Sequence, residues 1–263
     1  MGSNKASGFT PTSTESGNFL TRATTITSTT DKTRYDALIS GLVTDTDFAR
    51  LDALYILAAP DRTAAVLNLI QNNYNAVEHG TVTFTASVGY TGNGSDFYLD
   101  TGFNPETATS PHYVQDSASF GAYVLTDLSS GLNLHILGSS DSGEALLAPY
   151  YGGVTYWDIN SSFAGTSSSS NAKGLWIVTR TGASATALYR NGSTTAVDTG
   201  STSSNDVPHS AFYLFCVNRG SPSDFTALQA SAAFLGEALT SAAMARIAAR
   251  INTFMTAYGI NVY

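Results

Sequence analysis

The stretch Gly89 to Phe103, GYTGNGSDFYLDTGF, constrains the fold of this chain more than any other. Asn93-Gly94 places together two residues that tolerate positive φ, as a tight turn requires. The aromatic run Phe97-Tyr98-Leu99 behind it has strand chemistry and closes at Thr101-Gly102. The same grammar recurs along the chain. Thr81–Thr85 alternates with period two, and Ser119–Leu125, Leu134–Gly138, Ala145–Ala148, Gly153–Ile159, Leu175–Arg180, Phe212–Val217 and Gln229–Leu235 are short apolar runs. Leu188–Arg190, Asn191-Gly192 and Ser193–Val197 read as a hairpin, whereas Val66–Ile70 fits a strand or the end of a helix. Turn signals about every 8–12 residues, without interleaved helices, predict an all-β, antiparallel two-sheet sandwich.

Composition narrows the function. Charged residues make up 12% of the chain, about half the usual quarter, and Ser, Thr, Gly and Tyr take their place. The net charge is −8, and Lys5, Lys32 and Lys173 are the only lysines. With no basic stripe to neutralise phosphates, nucleic acid is not an expected partner. No window reaches the roughly 20 apolar residues of a membrane span, so no membrane insertion is expected. The N-terminal stretch MGSNKASGFTPTSTESGNF lacks the apolar core of a signal peptide. The single cysteine, Cys216, lies in the apolar run Phe212–Val217 and reads as a buried, inert thiol.

The sandwich is expected over residues 64–263. Before it, residues 1–30 form a Ser/Thr/Gly arm, read equally as a disordered tail or as an extended arm that orders on a partner. Residues 31–63 read as a helical hairpin. Asp31 is a candidate N-cap, with Tyr35, Leu38, Ile39 and Leu42 on one face. A second stripe of Phe48, Leu51, Leu54 and Tyr55 runs to Pro60. Two short helices do not hold together alone in water. The candidate assembly anchors are therefore Phe9, Phe19, Leu20, Tyr35, Leu38, Leu42, Phe48 and Leu51. A C-terminal helix over 240–258 starts at the Thr240 cap and stops at Gly259. Its stripe of Met244, Ile247, Ile251 and Tyr258 covers one end of the sandwich or pairs with a second copy.

Gly92–Gly102, Trp176–Thr179, Leu188–Gly192 and the closing Ala233–Thr240 resemble a concanavalin A-like, laminin-G-like jelly-roll domain. The resemblance covers most of residues 64–258. Phe19–Arg22, Tyr35–Val43 and Leu51–Ala59 look like the helical lead-in that precedes this jelly roll in tailed-phage and prophage virion proteins. The resemblance implies a virion structural protein of the tail, fibre or capsid surface. Its partners would be other virion proteins, copies of itself and a host-surface glycan. A stand-alone lectin-like module is the second reading and a glycan-degrading enzyme the third.

The motifs favour binding over catalysis. Glycan hydrolases on such sandwiches place alternate acidic residues on one strand, and no Glu-x-Asp or Glu-x-x-Glu strand motif occurs here. No Gly-x-Ser-x-Gly elbow accompanies His79, His112, His135 or His209. The chain is therefore not expected to be an enzyme. No cofactor is expected; calcium is the one ion the loops could take, through Asp141, Asp158, Asp206 and Asp224. The densest aromatic supply is Pro149–Gly153 and Tyr156–Asn160, where one of Tyr156 and Trp157 must point outward in a regular strand. The candidate glycan platform is Tyr150, Tyr151, Trp157 and Asn160. The sequons at Asn93, Asn160 and Asn191 read as turn chemistry.

Overall fold

The computed structural model describes residues 9–131, 134–162 and 165–263. They form the expected sandwich of two antiparallel sheets, with a layer of helices added to one side. The first sheet runs in the order Asp198–Gly200, Ala185–Arg190, Gly174–Gly182, Ala118–Val124, Gln229–Gly236, Gly89–Thr91 and Thr83–Thr85. Leu51–Ile56 pairs with the second half of Gln229–Gly236, from Leu51↔Gly236 to Ile56↔Ala232. The second sheet runs Gly165–Ser168, Val154–Ser161, Glu144–Tyr151, Leu137–Ser140, Tyr213–Leu214, Tyr98–Asp100 and Val77–His79. A two-residue ribbon, Val217–Asn218 with Pro222–Ser223, joins its middle through Ser139.

The core between the sheets is aromatic. Phe120 of the first sheet meets Phe212 at 6.1 Å between ring centres, and Phe103 and Tyr113 close around the same ring. Tyr90, Phe97 and Phe215 form a second cluster. Gly121 sits in the first sheet between two crowded neighbouring strands: a Cβ there would lie 2.6 Å from the Phe234 ring and 2.7 Å from the Trp176 carbonyl oxygen. No larger residue fits without moving backbone.

Several sequence expectations meet their elements closely. The C-terminal helix is Ser241–Thr256, with the Thr240 hydroxyl accepting from the Ala243 N–H and Gly259 at φ 77°. Asn191-Gly192 turns its hairpin with both residues at positive φ. The returning strand, however, is Asp198–Gly200 rather than 193–197. In Asn93-Gly94 only the glycine takes positive φ. Asn93 works as a cap, its Oδ1 accepting from the N–H groups of Ser95, Asp96 and Phe97. The expected strand Phe212–Val217 is broken at Phe215, whose φ is 69°.

The N-terminal third departs from its expected organisation. The second predicted helix does not form; Phe48–Arg50 is a single 3-10 turn and Leu51–Ile56 is a strand buried at every position. The run Leu51–Ala59 is apolar on both faces because helices cover one side of this strand and the second sheet the other. A short continuous apolar run of that kind carries no helix–strand distinction. The sandwich therefore begins at Leu51, not at residue 64. Nor is the stretch before it an extended arm: Thr14–Arg22 is a helix capped by Ser13, and a second helix spans Thr29–Thr44, capped by Ser28. Residues 1–8 of the expected arm lie outside the described residues.

The candidate anchors point into their own chain. Phe19, Tyr35, Leu38, Leu42 and Leu51 are buried in the chain's own core, Leu20 and Phe48 pack half-buried against it, and Phe9 is half-buried. Tyr35 lies between Phe19 (5.2 Å) and Phe254 of the C-terminal helix (4.9 Å). Two arginines of that helix reach back to the lead-in. Arg246 donates from Nε and Nη2 to both oxygens of the buried Asp47 (2.9 and 2.8 Å). Arg250 donates in the same way to Asp45 (2.8 and 3.2 Å). The guanidinium of Arg34 stacks 4.2 Å over the Tyr258 ring, whose hydroxyl donates to Asp31 (2.7 Å). The helical pair too short to persist alone is thus held by its own C-terminal helix. That helix lies on the outer face of the first sheet, where Tyr123 Oη donates to Asn252 (2.6 Å) while Phe120, on the opposite face, points inward.

Candidate site: a groove on the open face of the second sheet

Among the described residues, no helix covers the outer face of the second sheet. A hairpin turned by Gly152-Gly153, both at positive φ, sets Leu146 opposite Asp158 and Leu147 opposite Trp157. Side chains alternate across the sheet, so Trp157 and Ile159 enter the core while Tyr156 and Asp158 point outward. A groove follows the outward residues. Its wider part, about 340 Å³, is lined by Leu134, His135, Ala148, Tyr151, Tyr156 and Asp224. A narrower part of about 80 Å³ shares His135 and Tyr156 and reaches Glu144, Leu146 and Asp158.

One end of the groove is an aromatic corner. Tyr151 and Tyr156 meet edge to face, with ring centres 5.5 Å apart and planes at 84°. Tyr156 is 37% exposed, one of few large apolar side chains so open. The other end is acidic. Glu144 is held by the Ser140 hydroxyl (2.8 Å) and faces Arg219 Nη1 at 3.6 Å. Arg219 Nη2 also reaches Asp224 Oδ2 at 3.2 Å. Asp158 accepts from the Ser161 hydroxyl (2.5 Å) and the Ile159 N–H (2.8 Å). Burial, reinforced by the neighbouring Glu144 carboxyl, pushes Asp158 up to about 7. His135 lies between the two ends. Burial pulls it down to about 4, so its ring is neutral, and its Nδ1 has no hydrogen-bond partner.

Of the platform residues expected from the sequence, Tyr151 lines the wider part of the groove and Trp157 its narrower part. Tyr150 is buried and donates its hydroxyl to the Ser129 carbonyl (2.6 Å). Trp157 is buried, packs flat against Gly165 and donates Nε1–H to Asp198 (3.1 Å). Asn160, buried at φ 53°, accepts from the Tyr113 hydroxyl and donates to the Val114 and Gln115 carbonyls. Those three hold the sandwich together. Of the adjacent pair the outward residue is Tyr156, which the alternation required without saying which of the two it would be.

The four aspartates proposed for calcium are divided between two places. Asp158 and Asp224 line the groove. Asp141 and Asp206 close a separate loop, accepting from the His209 and Val207 N–H groups respectively, with Asp206 also taking the Ser142 hydroxyl. Among the described residues, no three His, Cys, Asp or Glu side chains gather as metal ligands. Cys216 is buried, and burial raises its thiol to about 12, out of reach of nucleophilic chemistry at neutral pH.

No family model and no curated protein matches this sequence. Solved structures do match its fold. Domain 4 of AbnA, a GH43 extracellular arabinanase from Geobacillus stearothermophilus, in complex with arabinotriose, is 15% identical. The match covers 76% of this chain and 98% of that domain, with a TM-score of 0.51. The receptor-binding domain of botulinum neurotoxin D is 13% identical over 77% of this chain and 53% of its own, with a TM-score of 0.52. A mutant of Trypanosoma rangeli sialidase displaying trans-sialidase activity is 14% identical over 85% of this chain and 38% of its own, at 0.53. The chain thus spans about half the length of the toxin structures it matches. At such identities the likeness establishes a jelly-roll sandwich and nothing finer. No helix among the described residues is long and apolar enough to cross a membrane.

Proposed function

We propose that this chain is a glycan-binding module whose site is the groove on the open face of the second sheet. The observation that carries the reading is the corner of Tyr151 and Tyr156, exposed beside His135, Asp224 and Glu144. An aromatic plate packs against the C–H face of a sugar, and convergent polar groups hold its hydroxyls. Two fold neighbours are consistent with this: one is a complex with arabinotriose, another a receptor-binding domain. The test is a glycan array followed by calorimetry on the intact chain. Tyr156→Ala should weaken the best binder at least about tenfold while leaving the melting temperature within a few degrees. Unaltered affinity in that variant, or an empty array, overturns the reading.

We infer that the groove binds rather than cleaves. Retaining and inverting glycosidases need carboxyl groups about 5–5.5 Å or about 6.5–9.5 Å apart, with room between them for a sugar carbon or a water. Glu144 and Asp158 are instead close enough to share a hydrogen bond. Release of reducing ends from a bound oligosaccharide would refute this.

The setting we infer is a tailed-phage virion, with the sandwich displayed on tail, fibre or capsid and assembled with other virion proteins or copies of itself. The similarity of Phe19–Arg22, Tyr35–Val43 and Leu51–Ala59 to phage lead-ins supports it. Because that lead-in is packed on its own chain, attachment would use its outer surface rather than the buried anchors. Antibody labelling of purified particles tests the setting, and particles devoid of the chain would reject it.

A further inference from the structure

The groove has a sign as well as a shape. Among the described residues, the carboxyl groups facing it are Glu144, Asp158 and Asp224, and no lysine lines it. Its cation is Arg219, which is already engaged: Nη1 faces Glu144 and donates to the Ser140 hydroxyl (2.9 Å), and Nη2 meets Asp224 at 3.2 Å. His135 adds no charge at neutral pH. A ligand carboxylate, sulfate or phosphate entering here would find, among the described residues, an arginine already paired with two carboxylates.

Sugar hydroxyls would fare differently. Glu144 and Asp224 keep lone pairs for hydroxyl donors beside the His135 ring at the groove wall. Resting on the glycan reading above, we propose that the groove selects neutral sugars and rejects acidic ones, with Glu144 and Asp224 as its specificity-determining residues. Rejection by like charge is a repulsive device, added to the attraction that the aromatic corner supplies to neutral and acidic sugars alike.

The experiment uses matched pairs on one array: N-acetyllactosamine against its sialylated and sulfated forms, and xylo-oligosaccharides against their glucuronic acid-substituted counterparts. The neutral member of a binding pair should exceed its acidic partner by about tenfold at low salt, and the ratio should shrink as salt screens the groove. Glu144→Gln combined with Asp224→Asn should bring the two within about threefold, by raising affinity for the acidic member. Acidic members that bind as well as neutral ones overturn the inference and leave the glycan reading standing. So does a ratio that neither salt nor the double variant changes. Binding by no member of either series overturns both.

Discussion

The two sheets share one core and are finished in opposite ways. The outer face of the first carries the C-terminal helix and the two N-terminal helices, so that strands such as Ala118–Val124 and Leu51–Ile56 are buried throughout. The outer face of the second is left bare, and its groove keeps an exposed tyrosine, a carboxyl pair and a histidine with an unpartnered nitrogen. Charges on the helical side are matched in bidentate forks, Asp47 with Arg246 and Asp45 with Arg250. In the groove, burial sets the protonation of Asp158 and His135 away from their ordinary ranges. One face is built for cohesion. The other holds polar groups in an unfavourable state, which is where binding sites are commonly found.

The contrast can be broken most forcefully at Tyr35. Tyr35→Ala should cost about 3–5 kcal/mol by opening a cavity between Phe19 and Phe254. Chemical denaturation should still show one transition, because the helical layer and the sandwich share a core. A separate early transition for the helices would mean that the layer is a detachable anchor after all.

Asp47→Ala is the next largest. It strips a fully buried carboxylate from Arg246 and from Arg50, whose Nε is 3.5 Å away. Both arginines reach solvent and rehydrate, so about 2 kcal/mol is expected rather than the full cost of a stranded buried charge. A melting-temperature change indistinguishable from zero would show that the fork only decorates the surface.

On the groove side the effect is a dependence on pH. Asp158 is raised from 3.8 to about 7. Its contribution to stability is therefore full below about 4 and is lost as pH rises through 7. His135 is lowered from 6.5 to about 4, so its contribution is full above 6.5 and is lost as pH falls through 4. The two slopes oppose each other between pH 4 and 7. Asp158→Asn should leave a stability that climbs with pH across this window, by on the order of 1 kcal/mol. His135→Phe should leave one that falls. Denaturation midpoints at four or five pH values decide, and parallel profiles for both variants would remove the electrostatic half of the contrast.

The smallest expected change is Tyr35→Phe. The Tyr35 hydroxyl is buried without a hydrogen-bond partner, so its removal should be neutral or should stabilise by up to about 1 kcal/mol. A loss of more than that would reveal a partner for the hydroxyl.

What the sequence disclosed tracks how one-sided each segment's surroundings are. The Asn191-Gly192 turn and the Thr240-capped helix carry local signatures and are found where expected. Gln229–Leu235 was legible as a short apolar run, and the strand extends one residue further, to Gly236. Leu51–Ile56 was not, because layers on both sides erase any periodicity. In the candidate groove, the sequence pointed to the tyrosine-rich hairpin, and phase decided which members face outward: one step along the strand exchanges Tyr156 for Trp157. The carboxyl pair escaped a search along single strands because Glu144 and Asp158 belong to neighbouring strands. Folding the hairpin about Gly152-Gly153 brings them together, as in the observed pairing of Leu146 with Asp158.

Leu51–Ile56 lies against Gln229–Gly236, a segment the ribosome makes far later, and the helices before it wait for Arg246 and Arg250, later still. Until those partners emerge, the lead-in and Leu51–Ile56 have an unmatched strand edge and a greasy helical face. Synthesis should therefore pass through a long vulnerable interval, with folding completed only once the Ser241–Thr256 helix is made. Ribosome-stalled nascent chains lacking the last helix should be digested by protease from their N-terminal end inward, although every residue of the lead-in is already present.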